Sequence, residues 1–121
     1  MAKVLVIDDS PTVIEALQDC LEGKGHEVVP ASSGPDGIEK AKSEEDLDLV
    51  ILDYHMPEMN GLEVAKILKG DEQTNKVPIV MLTTQSDRAL KEEGQKLGVI
   101  GWILKPFTPE GIIFCVEHLQ S

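Results

Sequence analysis

The segment that decides the fold reads Leu49-Val50-Ile51-Leu52-Asp53-Tyr54-His55-Met56-Pro57. Its first four residues are consecutive and apolar, a pattern typical of a strand that is buried on both faces of a sheet. The apolar run ends at Asp53, and the tract from Met56 to Gly61 has the composition of a turn. Because ligands of open α/β sheets bind beyond the carboxyl ends of the strands, Asp53 is a candidate functional residue.

Four more strands are predicted on either side of this segment. They are Lys3 to Ile7, His26 to Ala31, Val77 to Leu82 and Ile100 to Leu104. Helices are predicted after Ser10-Pro11, after Ser32-Ser33-Gly34-Pro35, after Asn60-Gly61, from Asp87 to Leu97 and from Pro109 to Leu119. Strands that alternate with helices in this way predict an α/β fold, in which a parallel sheet is covered on both faces.

Pro30 indicates where the second strand lies. Proline has no backbone N–H to donate to a ladder, so a strand that contains it belongs at an edge of the sheet. An edge position agrees with a doubly wound, five-stranded parallel sheet in the order 2-1-3-4-5, the flavodoxin-like (βα)5 arrangement. With 121 residues, the chain is expected to form a single domain over residues 1–121.

Composition argues against several classes of function. Acidic residues outnumber basic residues by 22 to 11, and the net charge of −11 disfavours direct binding to nucleic acid or to an anionic membrane surface. The sequence contains neither an apolar run of membrane-spanning length nor the pattern of a signal peptide. We therefore expect a cytoplasmic protein that does not insert into membranes.

Polar side chains follow four of the predicted strands. Asp8 and Asp9 follow the first strand, Asp53 ends the third, Thr83 follows the fourth and Lys105 follows the fifth. Because the carboxyl ends of parallel strands meet at one edge of a sheet, we expect these five residues to form one site. Three neighbouring carboxylates repel one another unless a cation compensates their charge. Carboxylate oxygens without histidine or cysteine ligands suit Mg²⁺.

Such a site is suited to phosphoryl transfer. With a divalent ion bound, Asp53 is a carboxylate nucleophile, and an aspartyl phosphate is a known type of covalent intermediate. This transfer depends on neutralising the charge of the phosphoryl oxygens, which Lys105 and the Thr83 hydroxyl can contact. Each residue taken singly also suits a helix-capping turn or a solvated strand exit, but their coincidence at successive strand ends favours a common site.

Four motifs together resemble the receiver domain of two-component response regulators. They are Asp8-Asp9, Asp53 with Met56-Pro57 and Asn60-Gly61, the strand end Val80-Met81-Leu82-Thr83, and Lys105-Pro106-Phe107. The resemblance covers essentially the whole chain. Because the sequence ends with the fifth predicted helix, it is similar to a stand-alone receiver of the CheY-like chemotaxis type, without a DNA-binding or enzymatic output module.

The resemblance implies a phosphoacceptor and a metal site. Asp53 is expected to accept a phosphoryl group from a phosphohistidine of a sensor histidine kinase. Mg²⁺ is expected to be held by Asp8, Asp9, Asp53 and the backbone carbonyl of His55, with Asp8 acting through water. Transfer and later hydrolysis are then catalysed mainly by this domain, which makes it a self-phosphorylating and autodephosphorylating phosphoacceptor rather than a conventional turnover enzyme.

The resemblance also implies a switch. Thr83 and Lys105 are expected to contact the phosphoryl oxygens, and movement of Thr83 toward them vacates space for the aromatic residue at position 102. Thr83 and Trp102 are therefore the expected switch residues, and a downstream target protein is expected to bind near the last two helices of a monomer. His55, Thr84 and Trp102 differ from the residues commonest at their positions, so phosphoryl lifetime and switching are expected to be specific to this chain.

Other functions stay open on the sequence alone. A receiver can act as a phosphate relay or a phosphate sink, and a receiver-shaped protein can bind partners without phosphate. A flavin-binding module shares the topology, but Asp8-Asp9 would repel the FMN phosphate at the first loop. A phosphohydrolase that uses Asp53 as its nucleophile would need a second acidic residue two positions later, where this chain has His55.

Overall fold

The structure, a computed structural model, describes residues 1–84 and 87–119. The strands of this part of the chain are β1 (Lys3–Ile7), β2 (Glu27–Ala31), β3 (Leu49–Asp53), β4 (Ile79–Thr83) and β5 (Val99–Leu104). The helices between and after them are α1 (Pro11–Glu22), α2 (Gly34–Ser43), α3 (Gly61–Lys69), α4 (Arg88–Lys96) and α5 (Pro109–Leu119). The predicted alternation of strands and helices is confirmed.

All of these strands pair in parallel within one sheet, in the order β2-β1-β3-β4-β5. The predicted order is confirmed, and β2 lies at an edge with Pro30 opposite Val6. The other edge is β5, whose register against β4 shifts between Ile79 and Val80. Because the strands are parallel, their carboxyl ends lie along the same rim of the sheet.

The core consists of two apolar layers, one on each face of the sheet. One layer joins the inward residues of α1 and α5 to alternate strand residues such as Val6, Ile51 and Leu82. The other joins α2 and α3 to the intervening strand residues, such as Ile7 and Leu52. Every residue of β3 is buried, which confirms the prediction of a strand covered on both faces.

Side chains cap the helices near the rim, as the sequence indicates. The Ser10 hydroxyl oxygen accepts a hydrogen bond from the Val13 backbone N–H at 3.4 Å. Asn60 and Glu63 form a reciprocal capping box at the start of α3. The Ser10 cap fixes where α1 begins after β1, and the Asn60 cap fixes where α3 begins after the β3–α3 loop. Both caps therefore help to position the backbone at the rim.

Two strands begin later than predicted, and backbone hydrogen bonds explain the difference. The His26 N–H donates to the Leu21 carbonyl at the end of α1, so β2 begins at Glu27. The Val77 N–H donates to the Thr74 carbonyl in a turn, so β4 begins at Ile79. In the described part of the chain, no helix has both the length and the apolar character that crossing a membrane requires.

Candidate functional site

Three carboxylates converge where β1 and β3 end. Asp8 directly follows β1 and is fully buried, and Asp53 is the last residue of β3 with only 2% of its surface exposed. Asp9 is exposed beside them. One carboxylate oxygen from each of the three residues lies within 4.8 Å of the other two. The structure therefore brings together the acidic residues that the sequence assigns to one rim.

Lys105 lies between two of these carboxylates. Its backbone N–H donates to the Thr83 carbonyl at 2.8 Å, which holds the chain just beyond β5 against the end of β4. Its Nζ lies 3.1 Å from Asp8 Oδ2 and 3.1 Å from Asp53 Oδ1. One ammonium group thus contacts both buried carboxylates in a largely desolvated setting, where charge-assisted hydrogen bonds are strong.

Burial and crowding of charge control the ionisation of this site. Burial, and after it the neighbouring Asp8 carboxylate, raise the pKa of Asp53 to about 6, although contact with Lys105 opposes both effects. Burial by itself lowers the pKa of Lys105, but the Asp8 and Asp53 carboxylates outweigh burial and leave that pKa raised. The ammonium therefore stays charged at neutral pH, and a single positive charge faces three carboxylates.

The donor set at the rim fits Mg²⁺. The clustered ligands are carboxylate oxygens, two from buried residues and one from the exposed Asp9, and Mg²⁺ prefers hard oxygen ligands together with retained waters. A divalent cation would also compensate the charge that raises the pKa of Asp53. The metal role of these residues remains a prediction, as does that of the His55 carbonyl in the loop after β3.

A helix cap orients one of the carboxylates. Asp8 Oδ1 accepts a hydrogen bond from the Ser10 backbone N–H at 2.9 Å, while Ser10 itself caps α1. The other oxygen of Asp8 contacts Lys105. The capping turn and the candidate site are therefore one structure, and the two interpretations of Asp8-Asp9 in the sequence are compatible.

Thr83 lies at the rim beside Asp53. It is fully buried at the end of β4, and the preceding residue, Leu82, pairs with Asp53 across the sheet. The Tyr54 N–H donates to the Leu82 carbonyl at 3.0 Å and keeps the two strand ends together. Thr84 is exposed immediately beyond them. The position of Thr83 agrees with its predicted place in the site.

The need for glycine at position 61 is apparent only from the structure. Its N–H donates to the Tyr54 carbonyl at 2.9 Å, and a Cβ at this position would come within 2.7 Å of the Asp53 carbonyl oxygen. A side chain would therefore displace the backbone that carries Asp53. The Asn60-Gly61 pair is visible in the sequence as a helix start, but its contact with the end of β3 is apparent only in three dimensions.

Trp102 lies on β5, away from the carboxylates. It pairs with Met81 across the sheet and packs, partly buried, against the apolar layer that covers the α2 and α3 face. Its ring also approaches Gly94 of α4, where an added Cβ would lie 2.5 Å from Trp102 Cζ2. The predicted switch residue therefore contacts α4.

This chain resembles proteins of known family in sequence and in structure. Residues 4–117 match the family described as the response regulator receiver domain. Chemotaxis protein CheY1 of Helicobacter pylori is 38% identical over 109 residues, which cover 89% of this chain and 88% of that protein. Protein PilH of Pseudomonas aeruginosa is 34% identical over 121 residues, 100% of this chain and 99% of PilH. The structure of Vibrio cholerae chemotaxis protein CheY4 superposes with a TM-score of 0.91 at 37% identity, with 97% of each chain covered.

Proposed function

Because this chain belongs to the response regulator receiver family, we propose that it accepts a phosphoryl group on Asp53 and signals by contact with another protein. The observation that carries the proposal is the position of the Lys105 ammonium, 3.1 Å from both the Asp8 and the Asp53 carboxylates. A buried carboxylate beside a fixed cation and two further carboxylates supplies a nucleophile, a charge partner and oxygen ligands at one point.

The proposed donor is a phosphohistidine on a sensor histidine kinase. In the transfer, an oxygen of the Asp53 carboxylate attacks phosphorus and forms a P–O bond. The P–N bond to the donor imidazole breaks, and its electron pair returns to the imidazole nitrogen. Lys105 and the Thr83 hydroxyl would contact the phosphoryl oxygens and neutralise their charge.

We propose Mg²⁺ as the cofactor, held by Asp8, Asp9, Asp53 and the backbone carbonyl of His55, with Asp8 acting through water. When bound, the ion offsets negative charge on the phosphoryl oxygens and on the carboxylates. Hydrolysis of the aspartyl phosphate by water then returns Asp53 to its free form. The domain would hydrolyse the phosphoryl group that it carries on Asp53, and it would not act as an enzyme on small phosphate esters.

An apolar hollow next to Lys105 suggests where the kinase docks. The hollow measures about 420 Å³ and lies between the start of α1 and the chain that joins β5 to α5. It is lined by Thr12, Val13, Ala16, Lys105, Pro106, Phe107 and Pro109. A histidine that reaches Asp53 must approach this rim, so the kinase surface around the histidine would rest in the hollow. A small donor such as acetyl phosphate needs no such surface.

The pathway is the finer part of the proposal. The names of CheY1 and CheY4 describe chemotaxis proteins, and we propose a chemotaxis role for this chain by analogy with them. Its output would be binding of a target protein on the surface formed by α4, β5 and α5. A phosphate sink or relay would use the same Asp53 chemistry, but a sink would release the phosphoryl group to water and a relay would pass it to another protein.

The decisive experiment is the intact mass of the purified protein after incubation with acetyl phosphate. We expect a single phosphoryl adduct in the presence of Mg²⁺, loss of the adduct when a chelator removes Mg²⁺, and no adduct in the Asp53→Asn variant. Asp19→Asn is the matched control, because Asp19 is an exposed carboxylate on α1 outside the cluster. This variant should be phosphorylated like the unaltered chain.

The same experiment distinguishes the remaining functions. If the Asp53→Asn variant still gains a phosphoryl adduct, the phosphoacceptor is another residue. Absence of an adduct with acetyl phosphate, phosphoramidate and a sensor kinase would leave a phosphate-independent interaction module, and capture of partners by the unmodified protein would then be measured. Continuous release of phosphate from small phosphate esters would indicate a phosphohydrolase.

A further inference from the structure

Gly94 and Trp102 form an unusually close contact between α4 and β5. Gly94 is buried in the interior of α4, and a Cβ at this position would lie 2.5 Å from Trp102 Cζ2 and 3.0 Å from Cη2. Real Cβ atoms do not approach other heavy atoms at 2.5 Å, so the indole occupies the volume that any other residue would need. A glycine inside a helix is unfavourable unless its lack of a side chain is required.

The rest of α4 offers little other apolar surface to the sheet. Of its nine residues, all of which the structure describes, Leu90 and Gly94 alone are buried. Most of the remaining residues are charged or polar and point toward solvent. The large, rigid indole beside Gly94 therefore adds apolar contact to a helix that offers little of its own.

We propose that Gly94 is the positioning residue for Trp102, and that the indole seated on Gly94 sets the position of α4 on β5. In this arrangement the indole of Trp102 on β5 fills the space that the absent side chain of Gly94 leaves on α4. The helix cannot move along or away from β5 without exposing the indole, and the indole cannot turn outward without leaving α4 with little apolar support. The two movements are therefore coupled.

The contact also connects to the phosphoacceptor rim, and this step rests on the proposed function. Thr83 and Lys105 join the ends of β4 and β5 through the 2.8 Å backbone hydrogen bond. Trp102 lies on the same strand, opposite Met81 of β4. A phosphoryl-driven change at these strand ends would reach α4 by unseating the indole from Gly94. Target binding near α4 would then depend on Gly94 as well as on Trp102.

The first test is a double-mutant cycle on thermal unfolding of the unphosphorylated protein. In the unaltered background, Gly94→Ala should lower the melting temperature, because the new methyl group collides with the indole. In a Trp102→Leu background the collision is absent, and Gly94→Ala should raise the melting temperature by about 4 °C through better helix propensity. Gln95→Ala, at the exposed neighbouring position, is the control and should act equally in both backgrounds.

If Gly94→Ala lowers the melting temperature of the unaltered chain but raises that of the Trp102→Leu variant, the proposed contact is supported. If Gly94→Ala changes the melting temperature by the same sign and amount in both backgrounds, the proposal is overturned. If Gly94→Ala does not fold alone, recovery of folding in the double variant with Trp102→Leu supports the contact, and failure to recover refutes it. Neither measurement involves phosphate or Asp53. The Gly94–Trp102 contact is therefore tested independently of phosphorylation at Asp53.

Tryptophan fluorescence supplies a readout that a change in stability alone would not move. Trp102 is the only tryptophan in the sequence, so emission reports on this residue directly. Gly94→Ala should shift the emission to longer wavelength and increase quenching by acrylamide in the folded protein, and Gln95→Ala should not. Unchanged emission and quenching in folded Gly94→Ala would overturn the proposal.

The coupling to phosphorylation is tested with acetyl phosphate and Mg²⁺. The emission of the unaltered chain should change on phosphorylation, whereas Asp53→Asn should show no change. If phosphorylation is demonstrated by mass and the emission stays constant, the signal does not pass through the Gly94–Trp102 contact. If no phosphorylation occurs, the proposed function fails while the result of the cycle is unaffected.

Discussion

The central strand β3 and the edge strand β5 with its helix α4 differ in how tightly they are packed. Every residue of β3 is buried, and the strand ends in the phosphoacceptor candidate Asp53. In β5 only Val99 is buried, and Ile100 and Leu104 are each 49% exposed. The candidate phosphoacceptor therefore lies where packing is tight, and the exposed apolar side chains lie where packing is sparse.

This difference assigns separate physical tasks to the two regions. A buried strand with apolar layers on both faces resists local opening, which keeps the carboxylates and Lys105 at short distances. A helix held by few apolar contacts opens or moves at a lower free energy, because little burial is lost. A switch needs both properties, a rigid site that changes its charge and a nearby element that responds to it.

The largest difference in the free energy of unfolding is expected between leucine-to-alanine substitutions in β3 and in β5. Leu52→Ala removes a fully buried side chain from β3 and should lower the free energy of unfolding by about 3 kcal/mol. Leu104→Ala truncates a half-exposed leucine of β5 and should lower it by less than about 1 kcal/mol. Urea unfolding of both variants measures the difference. Equal losses would show that the edge is as tightly packed as the centre.

The next largest effect concerns the ionisation of Asp53. Its pKa is raised from 3.8 to about 6, chiefly by burial and then by Asp8, so ionisation of this carboxyl opposes folding in the absence of metal. The associated stability is present at pH values below the unfolded pKa and is lost as the pH rises through about 6. Asp53→Asn avoids this loss and should be more stable than the unaltered chain by about 2 kcal/mol at neutral pH.

Thermal unfolding in a chelator, at pH 4 and pH 7.5, measures this effect. The advantage of Asp53→Asn should be small at the lower pH and full at the higher one, and added Mg²⁺ should reduce it by stabilising the unaltered chain. Asp19→Asn, at an exposed position of α1, should show no such pH dependence. An Asn variant that is less stable at pH 7.5 would mean that the contact of Asp53 with Lys105 outweighs its burial.

The same contrast explains what the sequence could and could not predict. The strands followed from the apolar runs and the edge position of β2 followed from Pro30, because burial and proline chemistry are local properties, and the order 2-1-3-4-5 agrees with that edge position. The meeting of Asp8, Asp53 and Lys105 followed from strand ends, since parallel topology places those ends together. These features belong to the well-packed centre, where a run of apolar residues predicts a buried strand and the strand end predicts the position of the next polar residue.

The features that the sequence did not predict depend on contacts between distant residues. Nothing in the spacing of Gly94 and Trp102 indicates that the indole fills the place of a Cβ, and Gly94 in the sequence only lowers the expectation of a stable helix. The bridging of Asp8 and Asp53 by one ammonium group is likewise a contact between residues distant in sequence. Likeness to a family suggests the roles of Thr83 and His55, and their functions stay predictions until they are measured.

A smaller effect, on rate, is expected from adding a negative charge to each region in turn. Ala16→Glu places a carboxylate at an exposed position that lines the hollow beside Lys105. It should slow phosphotransfer from a sensor kinase about tenfold, equivalent to about 1.4 kcal/mol in the barrier, because the added carboxylate obstructs the apolar hollow and loses its hydration when a partner docks there. Phosphorylation by acetyl phosphate should be nearly unchanged, because that donor does not use the surface.

The matched control is Ala89→Glu, the same change at an exposed position of α4. Transfer rates from the kinase and from acetyl phosphate are measured for both variants in parallel. The control should accept phosphate from both donors at the rate of the unaltered chain. Equal slowing by the two variants would indicate general repulsion by a chain that already carries a net charge of −11, and the hollow would then not be the docking site.

The smallest effect is expected from the ion pair on α4. Arg88 Nε lies 3.2 Å from Glu92 Oε1, nearly the same distance as the contacts of Lys105, but the Arg88 side chain is 93% exposed. Water screens an exposed pair and mobile side chains oppose it entropically, so Arg88→Ala should change the free energy of unfolding by less than about 0.5 kcal/mol. Lys105→Ala leaves two buried carboxylates without their cation, and its measured effect should be larger and reduced by Mg²⁺. If Arg88→Ala destabilises the chain as much as Lys105→Ala, ion-pair distance rather than burial determines the contribution, and the distinction between the rigid site and the loosely held helix fails.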